Sequence, residues 1–148
     1  MSITYVQSTT VCVSDQDAAL DFYVHKLGFE VREDAPFAND QQTGLRWLAV
    51  APPGAQCVLV LAKGYGGCDP SRVGNFTGIV LQADNIQATY DELSSRGVRF
   101  TEAPTMQSFG MLQAQFLDQD GNRFVLVSEP RYIVRQRSTG SLNTSGLG

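Results

Sequence analysis

The chain has 148 residues, 43% of them hydrophobic and 18% charged, and a net charge of −4. That balance fits one compact globular body and argues against a nucleic-acid-binding surface: the only clustered cations, Arg131, Arg135 and Arg137, sit in a polar end segment. No apolar run reaches the roughly 18 residues a membrane helix needs and no signal-peptide pattern opens the chain, so no membrane or nucleic-acid partner is expected and the expected location is cytoplasmic.

In chain order, residues 5–13 are β-rich and predict a strand. Ser14 or Asp15 then caps a helix whose apolar face is Ala18, Ala19, Phe22, Tyr23 and Leu27, and Gly28 ends it. Residues 29–32 predict a strand and the polar stretch 33–42 a loop. Strands at 45–51 and 57–62 follow, joined by the Pro52-Pro53-Gly54 turn. Residues 63–76 hold four glycines and a proline and predict a linker. Beyond it come a strand at 77–83, a helix at 85–95, a strand at 98–101, a loop at 102–110, and strands at 111–117 and 123–128. Asp118 to Asn122 carries acidic residues but lacks a twelve-residue calcium-loop pattern, so it predicts a β-turn. The end, 131–148, is rich in Gly and Ser and reads as a polar tail.

The order β-α-β-β-β occurs twice. VCVSDQDAALDFYVHKLGF at 11–29 matches VLQADNIQATYDELSSRGV at 80–98, strand, acidic step, amphipathic run and closing Gly alike. The organisation expected is a first module at 1–62, a linker at 63–76, a second module at 77–130 and the tail. The fold class is α+β: two βαβββ modules curled into an incomplete barrel around a shared cleft.

Cys12, Cys57 and Cys68 are odd in number and lack metal-knuckle spacing. Cys12 and Cys57 read as buried small apolar residues, and no disulfide framework is expected. The one histidine, His25, lies on a helix surface directed at solvent. It supports no triad, and no base stands near a cysteine to activate it.

The VSD-x(6)-FY-x(3)-LGF stretch at 13–29, the DQDGNRFVLV segment at 118–127 and the repeated module order resemble the vicinal oxygen chelate superfamily, the group of glyoxalases, bleomycin-resistance proteins and extradiol dioxygenases. The resemblance covers residues 3–130. It implies a cleft metal held from the first and last strands of each copy, a homodimer, and a metal-dependent lyase, isomerase or dioxygenase as one function. Carried onto this chain, the four ligand places fall at Ser8, Val58, Gly78 and Val125. Valine and glycine offer no donor, so no metal or other cofactor is expected. The other function, and the one favoured, is a binding protein that takes a small aromatic or amphipathic molecule without a metal.

Alternation from Ser8 puts Thr10 and Cys12 inward, with Gly78, Val80 and Gln82 in the second copy. The third strands add Arg46, Leu48, Gln113 and Gln115. The residues expected to touch ligand are Ser8, Thr10, Arg46, Trp47, Gln82, Phe109, Gln113 and Gln115. No carboxylate is on that list, which favours a neutral or anionic ligand.

Overall fold

The computed structural model describes residues 2–37 and 44–129. The predicted tail and the end of the predicted loop, 38–42, lie outside the described residues. The first copy consists of β1 (Ser8–Cys12), α1 (Gln16–Leu20), β2 (Glu30–Pro36), β3 (Arg46–Ala51) and β4 (Val58–Ala62). The second consists of β5 (Phe76–Gln82), α2 (Ile86–Ser95), β6 (Arg99–Met106), β7 (Leu112–Leu117) and β8 (Arg123–Ser128). The strands form two four-stranded mixed sheets, ordered β1-β4-β3-β2 and β5-β8-β7-β6. In each, the first and last strands of the copy run parallel and the other pairs antiparallel. The class is the α+β expected, and no closed barrel forms.

Local chemistry sets the helix ends. Asp15 accepts from the backbone N–H groups of Asp17 and Ala18 at 2.9 and 3.0 Å, and its carboxyl lies below the usual range chiefly because of the Ala18 bond. Asn85 caps α2 through Ala88 N–H at 3.1 Å. Gly28 and Gly97 close the two helical segments at φ 81° and 90°, conformations that suit a residue without Cβ. The predicted first helix changes character midway: Asp21–Lys26 is π-helical, with Leu27 N–H reaching Phe22 O.

Each sheet has a helix-covered face and an outer face. Val11, Leu48, Val50, Leu59 and Leu61 of the first sheet and Ala114, Phe116, Phe124 and Leu126 of the second lie in one core with residues of both helices. Phe116 stacks on Phe124 at 5.4 Å, and Tyr23 meets Phe124 edge-on at 6.1 Å. Polar bonds reinforce this joint between copies. Buried Tyr23 donates to Asp118 Oδ2 at 2.6 Å, and Asn122 Nδ2 donates to both Asp118 Oδ2 and Cys12 O at 2.9 Å.

Three expectations are corrected. First, β2 runs to Pro36 and β6 to Met106, through stretches expected as loops. Both are edge strands, where a proline costs no ladder bond. Second, Leu48 belongs to the helix-covered core and Trp47 to the outer face, the reverse of the parity first assigned to Leu48. Third, Cys12 and Cys68 form a disulfide across 56 residues, leaving Cys57 free. The segment after β4 folds back over the outer face of the first sheet and brings Cys68 within 5.4 Å of Cys12, Cα to Cα.

Candidate functional site

The two outer faces are treated differently. In the first sheet, Cys12, Ala49, Ala51, Val58, Val60 and Ala62 pack with Cys68, and Trp47, Tyr65 and Val73 join them. The returning segment is thus a cover. Tyr65 donates to Arg46 O at 2.8 Å, its ring lies 4.8 Å from Phe37 and 6.0 Å from Trp47, and burial raises its hydroxyl above the usual tyrosine range. Gly66 rests over Thr10: a Cβ there would stand 3.8 Å from Thr10 Cγ2.

The second sheet has no such cover among the described residues. Val80 is 58% exposed, and Gly78 and Gln82 are exposed beside it. By alternation the same face carries Arg123, Val125 and Val127 on β8, and Gln113 and Gln115 on β7. Arg123 stacks on Phe76 at 5.0 Å. At the far edge, Glu102 Oε1 accepts from Gln113 Nε2 at 3.0 Å and Gln115 Nε2 at 3.2 Å, and its Oε2 accepts from Gln107 Nε2 at 3.4 Å.

Register makes the two faces comparable. Val13 N–H bonds to Ala62 O in the first copy, and Ala83 N–H to Val127 O in the second. Counting back from these, the row Thr10–Val60–Ala49–Glu33 corresponds to Val80–Val125–Gln115–Glu102. Both rows end in a glutamate on the edge strand. In the first copy Trp47 Nε1 donates to Glu33 at 2.8 Å.

The predicted site residues therefore divide. Gln82, Gln113 and Gln115 share the second outer face, and Phe109, 63% exposed, stands in the turn after β6. Ser8, Thr10 and Trp47 lie on the first outer face, Ser8 and Trp47 half-buried and Thr10 exposed on the edge strand beside the cover. Arg46 is on the helix-covered side, where it pairs with Asp17 at 2.9 Å and Asp34 at 2.8 Å. Those two carboxylates raise its pKa further above an already high value. His25 is exposed on the π-helical turn. Glu33, Glu102 and Arg123 were missed. The signal for both glutamates was the polar alternation that continues past 32 and 101, which the nearby prolines obscured.

The implied metal does not fit. Ser8 pairs with Val58, but Val125 pairs with Val80 and not Gly78. With the register corrected, the inward set is Thr10, Val60, Val80 and Val125, one hydroxyl and three hydrocarbons. Among the described residues no three His, Cys, Asp or Glu side chains gather as a metal cluster. No helix of the described residues is long and apolar enough to cross a membrane.

A family model described as the Glyoxalase/Bleomycin resistance protein/Dioxygenase superfamily matches residues 5–126. The chain belongs to this superfamily. It is 32% identical over 126 residues to YetH of Bacillus subtilis (strain 168), covering 84% of this chain and 98% of YetH. Among solved structures it is similar to a superfamily member from Sphaerobacter thermophilus DSM 20745, with 43% identity and TM-score 0.73, covering 86% of this chain and 98% of that one. It is also similar to TnmS3, an antibiotic binding protein from Streptomyces sp. CB03234. That match has 37% identity and TM-score 0.74, and covers 88% of this chain and 99% of TnmS3. Within this superfamily, the present chain differs between its own halves: the middle strands of one outer face are covered, the other face is open.

Proposed function

We propose that this chain is a small-molecule binding protein whose site is the outer face of the second sheet. The observation that carries the reading is the open floor of exposed Val80 and half-buried Val125, with Phe76 and Arg123 at one end and the Glu102 amide cluster at the other. An apolar floor with a few placed polar groups suits an amphipathic or aromatic ligand. The similarity to an antibiotic binding protein supports the same reading.

A single sheet face buries only one side of a ligand, so the site is proposed to close in a homodimer, a second copy supplying the opposing wall. No metal takes part in this reading, because the four inward places bring one hydroxyl oxygen between them. As to setting, the Cys12–Cys68 disulfide favours an oxidising compartment over the cytoplasm expected from composition.

The test combines native mass spectrometry with Nile red fluorescence. The expected result is a dimer, no uptake of added divalent metal, and saturable Nile red binding that Val80→Glu abolishes without lowering Tm. Val80 is exposed, so a charge there disturbs the floor and not the core. Stoichiometric metal uptake, or unchanged dye binding in the variant, would overturn the reading.

A further inference from the structure

We infer that Glu102 selects the ligand, anchoring a protonated amine at the edge of the second outer face; the inference rests on the binding function proposed above. Three observations carry it. Glu102 is half-buried and held by the side-chain amides of Gln113, Gln115 and Gln107. Those donors are neutral: they fix the carboxylate's position and leave its charge uncancelled. The ion pairs formed among the described residues engage Glu30, Asp17, Asp34 and Glu92, and none engages Glu102.

The second observation is unused bonding capacity. A carboxylate offers about four lone-pair sites. Among the described residues two amides converge on Oε1, whereas Oε2 has one contact, the 3.4 Å one from Gln107. A donor from a ligand can therefore reach Oε2. An ammonium is the donor that gains most, because a bond between two ionised partners is roughly twice as strong as a neutral one.

The third is the contrast with Glu33. It stands at the corresponding register place, but it is engaged by Trp47 Nε1 beside the covered face. Glu102 is thus the copy's glutamate that faces open floor. Its opposite number across that floor is Arg123, two strands away and one residue pair along the sheet, about 12 Å by strand spacing and rise. An amine is drawn to one end of the face and an anionic group to the other, so the pair also sets the direction in which a ligand lies.

The experiment uses three fluorescent probes that share one planar body: 1-pyrenemethylamine as its ammonium, 1-pyrenemethanol and 1-pyrenecarboxylate. The wild-type protein should bind the ammonium about tenfold more tightly than the alcohol. Glu102→Gln keeps the shape of the side chain and removes its charge, and should abolish that preference while leaving Tm unchanged. Equal binding of ammonium and alcohol, or a preference that persists in Glu102→Gln, overturns the role of Glu102 and leaves the binding function standing. Binding of none of the three overturns the binding function itself.

Discussion

The hydroxyl of Tyr23 donates to Asp118 Oδ2 at 2.6 Å, tying the helix of one copy to the β7–β8 turn of the other. Tyr23 is fully buried, and its pKa is raised well above 10.0, first by burial and then by the Asp118 charge. Because the folded-state value exceeds the unfolded one, the stability this group contributes is complete below pH 10. It is lost as pH rises beyond that, since unfolding releases the proton. Tyr23→Phe should cost about 1–3 kcal/mol at pH 7, because Asp118 loses a donor while the ring is kept. Above pH 10 the gap between the two proteins should narrow. Urea unfolding from pH 7 to 11 checks this; parallel curves at every pH would contradict it.

The Cys12–Cys68 disulfide closes a long loop, and the chain-entropy account gives roughly 4 kcal/mol for a loop of this length. Cys68→Ser should lose a substantial part of that. Reductant should lower the wild type to the level of the variant and leave the variant unmoved. Under denaturing, non-reducing conditions one thiol, that of Cys57, should titrate, and after reduction three. Three reactive thiols before reduction would rule the bond out.

Phe116 and Phe124 stack within a core that takes side chains from both sheets. Phe124→Ala should cost about 3–5 kcal/mol. Because that core is shared, the loss should appear as one cooperative transition at lower denaturant, with both copies unfolding together. A biphasic curve in the variant, with one phase at the wild-type midpoint, would show that the copies are independent.

The repeat was readable because each copy writes the same local instructions: Asp15 and Asn85 as caps, Gly28 and Gly97 as stops, and a short apolar run as the last strand. Two kinds of information were not local. Pro36 and Pro104 look like breakers until the edge position of β2 and β6 is known, and misreading them hid Glu33 and Glu102. The covering of one outer face depends on a contact between Cys12 and Cys68, which no periodicity encodes. Arg46 failed for a third reason. Its strand alternates correctly, but Leu48 and Val50 turn out to be the helix-covered side, so Arg46 meets Asp17 and Asp34 and not the outer face.

Gln16 gives a pH-dependent test of how the cover is fastened. Its buried amide nitrogen donates to Arg46 O and Leu61 O, both at 2.8 Å, and lies 3.5 Å from the Tyr65 hydroxyl. Gln16→Glu keeps the shape but turns a carboxylate toward two carbonyl oxygens. Burial and that repulsion raise the folded-state pKa of the new group above its unfolded value. Its protonated form can still donate to one carbonyl, so the variant should come closest to wild type below about pH 4, near the unfolded glutamate value. As pH rises through the folded-state value it should fall away, by about 3 kcal/mol or more at pH 7, the usual scale for an uncompensated buried charge. Gln16→Ala, which leaves the carbonyls unpaired without adding charge, should lose about 1–3 kcal/mol with no such pH dependence. Thermal melts of both variants between pH 4 and 8 decide it: a Gln16→Glu deficit that stays constant across that range would mean the side chain has turned out to solvent.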